Sequence, residues 1–140
     1  MMLHMVTGHS MAPTMPDRTW FMVRRPRKRA LTRGRIVTFD AGTPMVKRII
    51  GCPGDVVELR GRSVFVNGRQ LLELYIIPPN EDYDPEQTTL CAGEYYVLGD
   101  NRPNSVDSRF FGPIRRSEIT GVMMFVINRR KGDKHDELTR

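Results

Sequence analysis

Gly99-Asp100-Asn101-Arg102-Pro103-Asn104-Ser105-Val106-Asp107-Ser108-Arg109-Phe110-Phe111-Gly112 follows directly on the apolar run Tyr95-Tyr96-Val97-Leu98. The run reads as a strand. Gly-Asp-Asn ends it with turn chemistry, since glycine accepts positive φ and Asp and Asn side chains bond nearby backbone. An ordinary turn would release the chain here. This one continues into two serines, a second aspartate and two arginines. Asp100, Arg102, Asp107 and Arg109 are expected to form charge-assisted hydrogen bonds, because a guanidinium fork matches a carboxylate. The alternative is a solvated polar loop. A network of this kind holds no nucleophile or base, so its place is to brace a neighbouring site.

Working outward, the chain is a series of short strand signals separated by turns. Thr19–Val23, Arg33–Phe39, Met45–Ile50, Val56–Arg60 and Val64–Val66 read as strands, with Gly51-Cys52-Pro53-Gly54-Asp55 and Gly61-Arg62-Ser63 as turns. Leu71–Ile77 is expected to add a strand, 78–85 a loop, and Val122–Ile127 a late strand. No repeat and no long amphipathic helix is evident. The pattern predicts an all-β fold of short elements.

The 140 residues fit one domain with a real core. Net charge is +6, which selects anionic partners where the charge matters at all. Arg24 to Arg35 carries seven basic residues and reads either as a solvated run or as a contact for anionic headgroups. The three histidines show no metal-ligand spacing with the cysteines, so no metal site is expected. Cys52 and Cys91 leave disulfide and free thiols both open. The apolar runs are too short to span a bilayer, and Met1–Val6 is too short for an anchor or signal peptide.

Two residues outside the brace carry candidate chemistry. Ser10 lies in Gly8-His9-Ser10-Met11-Ala12-Pro13-Thr14, ahead of an apolar strand. A serine hydroxyl needs a base, and no Ser-His-Asp arrangement is visible. Lys47 sits mid-strand among Val46, Ile49 and Ile50. Burial there would favour its neutral form and qualify it as that base. The alternative is a lysine facing water.

Together these segments resemble the type I signal peptidases, the Ser/Lys-dyad proteases that remove secretory signal peptides. Ser10–Thr14 is similar to the family's nucleophile motif. Arg33-Gly34-Arg35-Ile36-Val37 is similar to its Arg-Gly-Asp-Ile-Val strand, with Arg35 in place of the aspartate. Val46–Asp55 resembles its base motif, and Gly99–Arg109 its last motif. The resemblance implies a coiled antiparallel β-sheet catalytic core. It implies one domain over 1–128, with 56–92 reduced to an inserted hairpin and loop, and a charged tail over 129–140. It assigns Ser10 as nucleophile and Lys47 as general base. Ser105 would orient the lysine, Asp107 and Arg109 would hold the loop presenting Ser105, and Asp100 and Arg102 would support it. The Ser10 backbone N–H would be one oxyanion donor. The family often places a hydroxyl two residues before the nucleophile; here that position is Gly8, which lacks one.

The resemblance further implies preprotein signal peptides with small residues at −1 and −3, no cofactor, and no nucleic acid. The expected place is the cell membrane, with the catalytic domain on the extracytoplasmic side. Family members carry N-terminal anchors, and this chain starts just before the nucleophile, so an anchorless fragment or a surface-bound enzyme is expected. Met5, Met11, Met15, Trp20, Phe21 and Met22 are candidates for meeting an anionic lipid surface; their alternative is the core. Competing readings are a processing peptidase of conjugation or of an organelle inner membrane, a self-cleaving repressor-type protease, and a non-catalytic basic β-domain binding lipid or nucleic acid.

Overall fold

The structure, a computed structural model, describes residues 1–127. The charged tail expected over 129–140 lies outside the described residues. Eleven strands are present among the described residues: β1 (Met2–Met5), β2 (Trp20–Arg24), β3 (Ile36–Asp40), β4 (Pro44–Gly51), β5 (Val56–Arg60), β6 (Ser63–Val66), β7 (Arg69–Gln70), β8 (Glu86–Thr89), β9 (Glu94–Leu98), β10 (Ile114–Arg115) and β11 (Ile119–Ile127). They form a seven-stranded sheet in the order β1-β2-β11-β3-β4-β9-β10 and a four-stranded sheet in the order β7-β6-β5-β8. Every pairing between these strands is antiparallel.

The apolar run of β9 is covered on both faces. In β9, Tyr95 and Val97 join a cluster with Val37, Phe39 and Ile49, whereas Tyr96 and Leu98 point the other way into a cluster with Val57, Leu59, Val64 and Val66. Alternate residues face opposite sides of a sheet, so β9 serves two cores. The inserted hairpin β5–β6 is extended by β7 and β8 into the small sheet, which rests on that second core. A third cluster, Val6, Met11, Met15, Phe21, Val23 and Ile36, fills the space under the segment that joins β1 to β2. Each large apolar side chain so buried contributes about 1.5–3 kcal/mol.

The long strand β11 borders β2 on one side and β3 on the other, and its register shifts between Ile119 and Gly121 and again between Met123 and Phe125. Such bulges add local twist and coil the large sheet.

Two expectations are corrected. Leu71–Ile77 is not a strand: pairing stops at Gln70, and only Ile77 makes an isolated bridge, to Asn101. Leu72 and Leu74 are 80% and 84% exposed, so this apolar composition does not mark a buried run. Met11, Met15 and Phe21 do not face outward; all three are buried in the third cluster, because the turn that carries Ser10 must rest on something apolar.

Candidate active site

Ser10 lies in the tight turns that follow β1. Ala12 N–H donates to the His9 carbonyl and Met15 N–H to the Met11 carbonyl, which drives Met11 and Met15 into the core and leaves Ser10 half-buried at the surface. Gly8, at φ +96°, takes a conformation that disfavours other residues, and its N–H donates to Asp17 Oδ1 at 2.8 Å.

Lys47 lies in β4 opposite Val37 of β3 and is 5% exposed. Burial pushes its amine below the usual lysine range; the nearby Asp107 carboxylate pulls it back up in part, and Arg109 pushes it down again. Ser10 and Lys47 open onto one cleft of about 400 Å³, whose walls include Thr7, Phe21, Thr38 and Val46.

The segment 99–112 is a brace, but its ion pairs differ from those expected within it. Asp107 and Arg109 do pair: Asp107 Oδ1 accepts from Arg109 Nε at 2.9 Å and Oδ2 from Nη2 at 2.9 Å. Asp107 Oδ2 also accepts from the Gly99 N–H and from Ser105 Oγ, at 3.0 and 2.7 Å. The Ser105 hydroxyl is thereby fixed as a donor to Asp107, with its oxygen left able to accept. Arg109 adds bonds to the carbonyls of Arg102 and Ser105. Ser108, capped into a short helix (Ser108–Phe111) by Asp107, accepts the Val97 N–H and ties this loop to β9.

Asp100 and Arg102 find partners elsewhere. Asp100, fully buried, takes a bidentate pair from Arg48 at 2.9 and 2.7 Å and a third bond from Thr14 Oγ1 at 2.6 Å. Arg48 also donates to the Gly34 carbonyl and stacks over the Tyr75 ring. Asp100 thus ties the turn that carries Ser10 to β4, the strand that carries Lys47. Arg102 donates from Nε to the Gly99 carbonyl, and from its two other nitrogens to Glu73 and Tyr83.

Sequence reasoning missed Thr14, Arg48, Glu73, Gly99 and Asn101. Asn101 donates its backbone N–H to the Ser10 carbonyl at 2.9 Å and its side-chain amide to the His9 carbonyl at 3.0 Å. Gly99 is glycine for space, not for φ. A Cβ there would lie 2.7 Å from the Ser10 carbonyl oxygen and 2.6 Å from Ser105 Cβ. Arg48 carried one usable signal: as the neighbour of Lys47 in a strand it faces the opposite way. The cysteines are both free thiols, and no metal-binding group of His, Cys, Asp or Glu is present among the described residues.

A family model described as signal peptidase, peptidase S26, matches residues 2–128. Signal peptidase I of Bacillus amyloliquefaciens is 34% identical over 136 residues, covering 88% of this chain and 74% of that protein. Signal peptidase IB of Staphylococcus aureus is 33% identical over 141 residues, covering 86% and 74%. The crystal structure of a signal peptidase I from Enterococcus faecalis superposes with a TM-score of 0.60 at 33% identity, covering 74% of this chain and all of that one. The chain belongs to the signal peptidase family and is a serine endopeptidase of the signal peptidase I type.

Proposed function

We propose that Ser10 is the nucleophile and Lys47 the general base with which this signal peptidase cuts its substrates. The observation that carries the reading is a buried lysine and a half-buried serine on one cleft. Neutral Lys47 takes the Ser10 hydroxyl proton as Oγ attacks the scissile carbonyl. The resulting oxyanion is met by the Ser10 backbone N–H, where charge develops. The ammonium then gives its proton to the departing amine, leaving an acyl ester on Ser10. Water, deprotonated by the same lysine, hydrolyses the ester and regenerates both groups. Ser105 orients the lysine, and Asp107 and Arg109 hold Ser105. Asp100 and Arg102 support that loop. Gly8 offers no hydroxyl, and its N–H is already given to Asp17; the second oxyanion donor therefore comes from neither.

The substrates are extended segments with small side chains at −1 and −3, since residues of one parity face the enzyme. Residues 1–128 act as one catalytic β-domain with 56–92 as its insert, a reading supported by the second core that β9 shares with the small sheet.

The enzyme works at a membrane surface, on the extracytoplasmic side. Support comes from a different set of residues than the buried methionines. Met1, just before edge strand β1, and Met2, Leu3 and Met5 within it are 83%, 64%, 49% and 40% exposed, and Met5 also lines the cleft. Val23 pairs with Met2, and the exposed basic run Arg24, Arg25, Arg27, Lys28 and Arg29 begins at the next residue. Apolar edge and cationic run thus adjoin, as a surface for anionic lipid requires. No helix among the described residues is long and apolar enough to cross a membrane.

The test is cleavage of a peptide with Ala at −1 and −3 by wild type, Ser10→Ala and Lys47→Ala. Both variants are expected to fold and to lose cleavage; near-normal turnover in either removes that residue from the dyad.

A further inference from the structure

We propose that Glu73 is a positioning residue for this peptidase, acting through Arg102 on the backbone that seats Ser10 and Ser105; the proposal rests on the Ser10/Lys47 reading above. Glu73 lies in the segment between the small sheet and the loop 78–85, between two leucines that face water. Its own side chain is 7% exposed. The two carboxylate oxygens grip the terminal nitrogens of Arg102, whose side chain is fully buried. A planar guanidinium held in this fork has its remaining N–H direction fixed. That direction is Nε toward the Gly99 carbonyl, at 2.8 Å.

Gly99 is the place where this grip becomes chemistry. Its Cα is packed against the Ser105 side chain and the Ser10 carbonyl. Its N–H is held by Asp107, the carboxylate that also receives the Ser105 hydroxyl and acts on Lys47. The carbonyl end has one side-chain donor among the described residues, Arg102 Nε. Backbone bonds add to the same clamp: Ile77 N–H donates to the Asp100 carbonyl, and Arg102 N–H to the Ile77 carbonyl. Ile77 therefore bridges the backbone of 100–102, and Glu73 four residues before it makes the charged contact to Arg102.

Without Glu73 the buried guanidinium has no carboxylate partner among the described residues and must seek water or other acceptors. The Gly99 carbonyl then loses a fixed donor, and the seat shared by Ser10 and Ser105 loosens. Small misplacements of reacting groups lower turnover steeply. Substrate binding should be spared, because the cleft walls come from residues 4–7, 10, 21, 38–40, 44–47 and 120, and none from 71–77. The signature is a fall in kcat without a matching rise in KM.

The experiment compares wild type, Glu73→Gln, and the double variant Glu73→Leu with Arg102→Met. The double variant replaces the buried pair with apolar side chains, a change that commonly preserves the fold, and it deletes the donor to Gly99. All are assayed on the same peptide, well below their melting temperatures. Glu73→Gln is expected to lose about tenfold or more in kcat with KM within about threefold. The double variant is expected to melt near wild type and still show the kcat loss. Wild-type kcat in a folded double variant overturns the proposal. So does a Glu73→Gln deficit that tracks the unfolded fraction, a rise in KM alone, or failure of both variants to fold, each of which marks the pair as structural only. Ser10→Ala and Lys47→Ala are run in parallel: cleavage by those variants sinks the dyad, whereas full activity in the Glu73 variants beside inactive dyad variants sinks only this proposal.

Discussion

Replacing Gly99 by alanine tests how tightly the site is seated. The added Cβ would stand 2.6 Å from Ser105 Cβ and 2.7 Å from the Ser10 carbonyl oxygen, with Ser105 Oγ also in its path. Neither neighbour is free to yield. Ser105 Oγ is held by Asp107 at 2.7 Å, and the Ser10 carbonyl by the Asn101 N–H at 2.9 Å. Gly99 itself is fixed at both ends, by Asp107 and by Arg102. Overpacking of this kind costs roughly 1–3 kcal/mol, which for a chain of this length lowers Tm by about 3–10 °C. Gly51→Ala supplies the control. Its Cβ would meet Val57 Cγ2 at 2.6 Å and Leu90 Cδ1 at 2.8 Å, a clash with side-chain ends in the core under the small sheet and away from Ser10 and Ser105. Thermal melts followed by circular dichroism give the stability loss, and kcat is read where both variants are folded. Gly51→Ala should cleave normally once folded, whereas Gly99→Ala should lose about tenfold or more in kcat, because its strain falls on Ser10 and Ser105. Equal kcat in the two variants at matched stability would refute the reasoning.

Two further outcomes follow from the buried charges. Burial lowers the Lys47 pKa, so between that lowered value and 10.5 the unfolded chain holds a proton the native chain has released, and native stability rises with pH across that window; kcat should climb with pH and level off before 10.5. Lys47→Met should abolish cleavage and flatten the pH dependence of urea unfolding in that window, and parallel pH–stability curves for the two proteins would contradict the burial argument. Arg48→Met leaves the fully buried Asp100 with Thr14 as its one side-chain donor among the described residues and should cost about 3–5 kcal/mol in urea unfolding. A loss under about 1 kcal/mol would show that the Arg48–Asp100 pair does not hold the turn to β4.

The strands were legible where sequence pattern and burial have the same cause. Tyr95–Leu98 is apolar at successive positions because both faces of β9 are covered, by the main core on one side and the small sheet on the other, and Ile49 and Ile50 at the end of β4 enter the same two cores. Leu71–Ile77 misled for a physical reason. Its burial is governed by one charged residue, Glu73, drawn inward to Arg102, and this turns Leu72 and Leu74 out to water. No local period encodes a partner 29 residues away. The methionines misled in the opposite sense. Met11 and Met15 lie in a turn, where neither helical nor strand periodicity applies, and their inward direction is set by the bond from Met15 N–H to the Met11 carbonyl.

The same distinction divides the site. Lys47 could be read, because a lysine amid apolar strand residues is unusual on its face, and so could the polar density of 99–112. What joins them to Ser10 could not, since it runs largely through main-chain carbonyls. Asn101 holds the carbonyls of His9 and Ser10, the former 92 residues away. Arg102 holds the carbonyl of Gly99, and Gly99 seats Ser10 by having no side chain at all. A carbonyl is the same at every residue, so the acceptor carries no signature in the sequence. Only the donor does, and a donor in a Gly-Asp-Asn-Arg run looks like turn chemistry. The arrangement has a mechanical consequence. Ser10 is restrained by its main chain through the Asn101 N–H on its carbonyl, and under the proposed mechanism that restraint leaves the hydroxyl to turn between Lys47 and substrate, as a nucleophile that must first give up a proton and then attack requires.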